Sequence, residues 1–182
     1  MIVVIDNFFD EQSFYAINDY VRKLKFYDYK WHKKVASKNW TGSFPGKRSV
    51  ELFAKEPLLA TFIMKTMTAQ YNFNRNISGT LWAHLRLKDN NDQDWIHRDP
   101  NQIGFLYYLS ETNLNSGTKF FSNNVKDNSI EVSDKESDDL FVKFLQNRAI
   151  IFDGQKLHCS YNNHGNNMKD GRLTINGFFD YV

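Results

Sequence analysis

His97-Arg98-Asp99, then His158, then Arg172 are the residues of this chain whose types and spacing suit chemistry. Two imidazoles and one carboxylate can occupy one face of an octahedral divalent metal. The opposite face then stays open for a co-substrate and dioxygen, the arrangement used by non-haem iron(II) sites. On an extended strand, residues i and i+2 point the same way, so His97 and Asp99 can both face inward while a third ligand comes from another strand. A His-x-Asp pair alone reads equally well as a surface turn before Pro100, and its weight here comes from its downstream partners. His158 comes after the apolar run Ala149-Ile150-Ile151-Phe152 and a turn at Asp153-Gly154. Arg172 opens the last strand, on which Arg172, Thr174 and Asn176 share one face and Leu173 and Ile175 the other. A guanidinium grips a carboxylate with two parallel hydrogen bonds, and a hydroxyl two residues on can add a third.

Other reactive types are weaker candidates. His84 and Arg86 share a face of an earlier strand, and His84 reads first as a hydrogen-bonded core or rim histidine. His164 competes with His158 as a third ligand but sits among Asn162, Asn163, Gly165 and Asn166, a loop composition. His32, inside a basic stretch, is expected in solvent. Cys159 reads as a small buried thiol with no partner that would activate it.

The elements that must position these groups are read from periodicity. Ile2 to Ile5 is a β-branched strand. Asp10 caps a helix over 11–25, with Phe14, Ile17, Val21 and Leu24 on one face. Pro57 opens a second helix carrying Leu58, Leu59, Phe62, Ile63, Thr66, Met67 and Tyr71. Residues 26–50 are expected to be loops with a short strand. After Gly79, strands are expected at 80–88, 103–110, 118–121, 139–144, 148–153 and 172–181, separated by turns such as Asn90-Asn91-Asp92 and Asn115-Ser116-Gly117. Many short strands with polar turns indicate a sandwich or barrel.

The chain has 182 residues, 41% hydrophobic and 16% aromatic, with a net charge of +2. That suits one globular unit with a real core and excludes fibrous or disordered classes. Charge is uneven: 22–48 holds nine Lys/Arg and one acid, Asp28, while 127–139 holds six acids and one base. The basic-aromatic stretch reads first as a solvated loop with Trp side chains in the core, and second as a surface for an acidic substrate or nucleic acid. The acidic one reads as a solvated loop or a lid. One cysteine, no signal-peptide pattern at the start and no apolar run of membrane-spanning length point to an intracellular, cytoplasmic protein with no membrane partner.

The order His97-x-Asp99, His158, Arg172-x-Thr174 resembles the 2-oxoglutarate/iron(II) dioxygenases, in particular the prolyl 4-hydroxylase-like branch. Val4-Ile5-Asp6-Asn7-Phe8-Phe9, Phe105-Leu106-Tyr107-Tyr108-Leu109-Ser110, Ser116-Gly117-Thr118 and Asn147-Arg148-Ala149-Ile150-Ile151-Phe152 are similar to its successive segments, so the resemblance covers nearly the whole chain in order. It implies a mainly β fold, a double-stranded β-helix (jelly roll) over 80–182, with N-terminal helices of a support region, 1–79, packed on its outer face in a single 1–182 domain. It implies His97, Asp99 and His158 as metal ligands and Arg172 as the anchor of the 2-oxoglutarate C5 carboxylate, with Tyr108 and Thr174 assisting. Tyr108 read without the resemblance is a core tyrosine with a satisfied hydroxyl. The implied cofactors are Fe(II), 2-oxoglutarate and O2, with ascorbate as a candidate reductant.

Departures narrow the branch. A tyrosine expected near Leu87 is missing, and His84 or Arg86 are candidate replacements. Phe178 stands where a nucleic-acid demethylase branch carries a second arginine, so nucleic acid is not favoured. Asp99 is intact, which favours hydroxylation over halogenation. The expected activity is hydroxylation of a peptidyl side chain, such as proline, or of a small molecule. A non-catalytic jelly-roll module that binds metal or carboxylate, and a nucleic-acid-modifying oxygenase, are the rivals.

Overall fold

The polar-apolar alternation Arg172-Leu173-Thr174-Ile175-Asn176 makes a long strand with two unlike faces, and the rest of the fold is arranged around it. The computed structural model describes residues 1–35, 44–93, 96–121 and 140–182. In chain order its elements are β1 (Ile2–Ile5), α1 (Glu11–Arg22), α2 (Tyr29–Val35), β2 (Lys47–Arg48), α3 (Leu52–Lys55), α4 (Pro57–Gln70), β3 (Ile77–Arg86), a 3-10 stretch (Lys88–Gln93), β4 (Ile103–Tyr108), β5 (Asn113–Phe120), β6 (Leu140–Phe144), β7 (Ala149–Asp153), β8 (His158–Tyr161) and β9 (Arg172–Tyr181). A six-stranded sheet has the order β1-β7-β4-β9-β3-β2, and a three-stranded sheet the order β6-β5-β8. All pairings are antiparallel. The chain is mainly β and jelly-roll-like, with four α-helices among the described residues.

Residues opposite each other on antiparallel strands share a face. Arg86 pairs with Arg172, His84 with Thr174 and Trp82 with Asn176, while Tyr108 pairs with Thr174 and Leu106 with Asn176. That face of the large sheet is polar at β3 and β9 and apolar toward β4 and β7. The other face carries Leu81, Ala83, Leu85, Leu173, Ile175 and Tyr107, which belong to one buried cluster with Phe14, Ile17 and Val21 of α1 and Ile63 and Met67 of α4. Each such aliphatic side chain, once buried, contributes about 1.5–3 kcal/mol. A second cluster joins the two sheets: Leu106, Tyr108, Ile150 and Phe152 from the large one, Phe120, Val142 and Phe144 from the small one.

Several expected boundaries shift for local reasons. α1 closes at Arg22, with Lys23 as its C-cap, instead of reaching 25. β3 starts at Ile77 and runs through Gly79, where a Cβ would lie 2.0 Å from the Phe178 carbonyl oxygen, so glycine permits the strand that it was expected to precede. Asn115-Ser116-Gly117 is not a turn between strands but part of β5, whose register against β6 shifts between Asn113 and Gly117 as at a bulge. The stretch expected as loops contains α2, started by Asp28, whose carboxylate accepts from the Trp31 amide at 2.9 Å. The acidic stretch 127–139 and residues 36–43 lie outside the described residues.

Candidate active site

His97 enters the site through an isolated bridge and not a full strand. Its amide donates to the His158 carbonyl and the His158 amide donates back, both at 3.0 Å. This two-residue ladder sets the two rings side by side, with centroids 4.4 Å apart. Two residues on, the Asp99 amide donates to the Gly154 carbonyl at 2.8 Å, and the Gln155 side chain donates to the Asp99 carbonyl at 2.8 Å. The Asp153-Gly154 turn therefore holds the carboxylate segment against β8. Gly154 is needed there because a Cβ would lie 2.1 Å from the Asn101 carbonyl oxygen.

The carboxylate of Asp99 ends between the rings, Oδ1 at 3.8 Å from His97 Nε2 and Oδ2 at 3.6 Å from His158 Nε2. One ligand atom from each of the three residues falls within 4.8 Å of the other two. His158 Nδ1 faces the Lys156 carbonyl at 2.8 Å, which makes Nδ1 the protonated nitrogen and leaves the Nε2 lone pair toward Asp99. Burial pushes His158 down to about 4, so it is the neutral imidazole that a metal requires. Burial pushes the Asp99 carboxyl up to about 6, against the opposing pull of His97 and of the Arg48 guanidinium. The three side chains thus fit a divalent metal in type, spacing and tautomer. His97 is 39% exposed and the other two 7%, so the group opens to solvent on the His97 side.

These residues line a cavity of about 900 Å3 between the two sheets. Arg172 lines it too and is buried at 2% exposure, 5.7 Å from the Tyr108 ring centre and 5.5 Å from that of Phe144. Tyr108 and Thr174 stand one layer behind. The Tyr108 hydroxyl shares a 2.7 Å hydrogen bond with Thr118, and the Thr174 hydroxyl donates to Asn176 Oδ1 at 2.6 Å; Thr118 and Asn176 are the partners that line the cavity. Burial raises the Tyr108 phenol and Arg172 opposes that shift, so the phenol stays protonated.

Leu87 packs against the helix-side cluster, so its position does not face the cavity, whereas His84 and Arg86 line it. The His84 Nε2–H donates to the Pro45 carbonyl at 2.7 Å, and Asn176 approaches Nδ1 at 3.3 Å. Burial holds that imidazole well below its usual range, so it is neutral. Arg86 donates to the Ser160 hydroxyl and joins the two sheets.

His32 is not in solvent. It is 6% exposed, with ring neighbours Trp31, Phe44 and Trp82, because α2 turns it inward and its Nε2 meets the Arg48 carbonyl at 3.3 Å. His164 is half-buried against Phe144, apart from the three-residue group, and Cys159 is a buried thiol. Sequence reasoning named the basic stretch without singling out Arg48, quoted Thr118 only within Ser116-Gly117-Thr118, and did not find Ser160. Only the breaker Pro45-Gly46 hints at Arg48: Gly46, at φ 74°, turns the chain into β2.

No protein-family model and no curated protein sequence matches the chain. Solved structures do. HygX from Streptomyces hygroscopicus, with nickel and 2-oxoglutarate bound, superposes with a TM-score of 0.68 at 13% identity, covering 98% of this chain and 82% of that one. SnoN, a non-haem α-ketoglutarate-dependent epimerase from nogalamycin biosynthesis, gives 0.61 at 12% identity, covering 98% and 77%. An oxidoreductase of the 2OG-Fe(II) oxygenase family from Burkholderia pseudomallei gives 0.60 at 9% identity, covering 98% and 83%. At these identities the likeness is one of architecture: the chain shares the fold of these three proteins along almost its whole length.

Proposed function

We propose that this chain is an iron(II)- and 2-oxoglutarate-dependent dioxygenase that hydroxylates a small molecule. The observation that carries the reading is the convergence of His97, Asp99 and His158 in one cavity with the buried Arg172. In this reading His97 Nε2, an Asp99 oxygen and His158 Nε2 hold the metal, and Arg172 pairs with the far carboxylate of 2-oxoglutarate. Tyr108 supports that end through Thr118, and Thr174 fixes Asn176 in the cavity wall. Fe(II) and 2-oxoglutarate, when bound, supply the activation of dioxygen: 2-oxoglutarate becomes succinate and CO2, and one oxygen atom enters a C–H bond of the substrate.

The protein's own contributions are positional. The Lys156 carbonyl keeps the His158 proton on Nδ1. The Asp153-Gly154 turn keeps the carboxylate segment against β8. Apolar Leu106 and Phe152 exclude water from one side of the site.

A small-molecule substrate is preferred over a peptide because the cavity, about 900 Å3, is walled by Trp31, Trp82, Phe152 and Phe178, and because HygX has been solved with hygromycin B bound. A peptidyl side chain, which the prolyl 4-hydroxylase-like motifs suggest, is the second class. The helices of 1–79 back the jelly roll of 80–182 as one domain, a reading supported by the cluster they share. Among the described residues no helix is long and apolar enough to cross a membrane. The single cysteine, Cys159, suits a cytoplasmic setting.

The test is conversion of 2-oxoglutarate to succinate by the iron-loaded chain under air, with and without candidate substrates. Turnover that His97→Ala abolishes is expected. Metal binding with no oxygen consumption under any substrate would leave a binding module instead.

A further inference from the structure

Among the cations that line the cavity, Arg48 has no part in the proposed chemistry. Arg48, on the two-residue edge strand β2, lines the cavity, with its guanidinium carbon 4.4 Å from the Phe44 ring centre and 5.6 Å from that of Phe178. Its Nε is buried without a hydrogen-bond partner, and no described residue gives the guanidinium a hydrogen bond or an ion pair. Burial lowers Arg48 to about 10, with Asp99 opposing the shift and Arg86 adding to it, so it is charged at neutral pH. The two rings offset part of the cost of removing that charge from water, but a ring face cannot satisfy the N–H fork.

The acids nearby are already committed. Asp99 is the one buried acid among the described residues, and in the proposed reading its charge is drawn to the metal. Glu51, the other acid on the lining, caps α3 and accepts from the amides of Phe53, Ala54 and Leu81 at 3.1, 2.8 and 3.0 Å. A half-buried cation held between rings, with its Nε buried and no acceptor among the described residues, suits an anion from outside. The wall around it is flat and apolar: Trp31 lies stacked on Tyr27 at 3.8 Å, Trp82 stands edge-on to His32 at 5.5 Å, and Phe178 completes it.

We propose that Arg48 determines specificity by binding the anionic group, carboxylate or phosphate, of a primary substrate whose flat apolar body lies along Trp31, Trp82 and Phe178. The proposal rests on the oxygenase reading, since it takes 2-oxoglutarate to be held elsewhere, at Arg172.

The experiment is titration of the intact chain, loaded with Mn(II) and 2-oxoglutarate, followed by tryptophan fluorescence. The probes are naphthoate against naphthamide and phenyl phosphate against phenol. At least one anion is expected to quench with an affinity about tenfold or more tighter than its neutral counterpart. Arg48→Gln removes that preference while leaving the neutral probes and 2-oxoglutarate binding unchanged. Which anion wins distinguishes carboxylate from phosphate. Equal binding of each pair, a preference that survives Arg48→Gln, or no quenching by any probe overturns the proposal. So does an Arg48→Gln chain that loses 2-oxoglutarate instead. Repeating the titration without metal and 2-oxoglutarate separates the two readings. A chain that fails to bind Mn(II) but keeps an Arg48-dependent preference refutes the oxygenase alone. One that binds both cofactors without preference refutes this proposal alone.

Discussion

Asp99 and Arg172 are the two residues on which opposite kinds of loss are expected. Asp99 brings the only negative charge to the three-residue group, so Asp99→Asn removes charge while keeping size. Loss of a partner that merely orients a ligand already costs about 10–100-fold in metal affinity, and loss of the ligand itself should reach the upper end. Calorimetric titration with Mn(II) measures it, and an unchanged affinity would move the metal elsewhere. Arg172→Gln should leave Mn(II) affinity within about twofold and raise the 2-oxoglutarate requirement about tenfold or more, the worth of a charge-assisted bidentate pair. A mutant whose 2-oxoglutarate dependence matches the parent's would dissolve the assignment of Arg172. Both residues were legible in the sequence, since His-x-Asp, a distal His and a strand-opening Arg form an ordered series. Arg48 was not. It lies thirty-eight positions before Arg86 in a stretch of similar cations, and only the β2–β3 register, which sets it opposite His84, makes it differ from exposed Lys33 or Lys34.

Among the elements, legibility followed the clarity of the period. β9 was readable to the residue because it is long and its first five residues alternate polar and apolar. β8 was missed because His158-Cys159-Ser160-Tyr161 is four residues of mixed type, and it becomes a strand only by pairing with β5. α2 was missed because Tyr-Lys-Trp-His-Lys-Lys-Val has no apolar stripe. Two predictions belong at this scale. Gly154→Ala should push the Asp153-Gly154 turn off the Asn101 carbonyl and, with it, displace Asp99. Circular dichroism should stay near that of the parent while Mn(II) affinity falls, and an unaffected affinity would show that the turn does not position the carboxylate. The second concerns β1 and β7. Arg148, next to β7, donates to both oxygens of Asp6, just past β1, at 2.5 and 2.9 Å. The hydrogen bond from Arg148, ahead of its charge, holds the Asp6 carboxyl below the ordinary 3.8. A depressed folded value means that this pair stabilises the fold above the unfolded value near 3.8 and that the gain disappears as pH falls through the folded one. Asp6 is 54% exposed, so screening limits the gain to roughly 0.5 kcal/mol. Urea denaturation should find Asp6→Asn less stable by about that much at pH 7 and indistinguishable from the parent by about pH 2. A deficit that persists in acid would trace to something other than the ion pair.

For the whole molecule, the site joins two sheets that also meet through an apolar cluster and through bonds such as Arg86–Ser160 and Tyr108–Thr118. Ligands that bridge them should stabilise the folded state as a unit. At a concentration of each about a hundred times its dissociation constant, Mn(II) and 2-oxoglutarate should add about 2.7 kcal/mol apiece, about 5 kcal/mol together. That appears as a rise of several degrees in thermal melting, and His158→Ala should abolish it. A shift of the same size in that variant would mean the ligands bind outside the cavity.

The position of β9 also bears on how the molecule is made. It lies between β4 and β3 in the large sheet, yet every other strand precedes it in the chain. On the ribosome, β3 and β4 must therefore wait with bare edges until β9 emerges to fill the gap between them, and Arg172 and Asn176 of the cavity wall and Leu173, Ile175 and Phe179 of the helix-side cluster arrive with it. Assembly is then a late event of long-range closure, slow by its nature, and the growing chain carries edges open to mispairing until the missing piece is delivered.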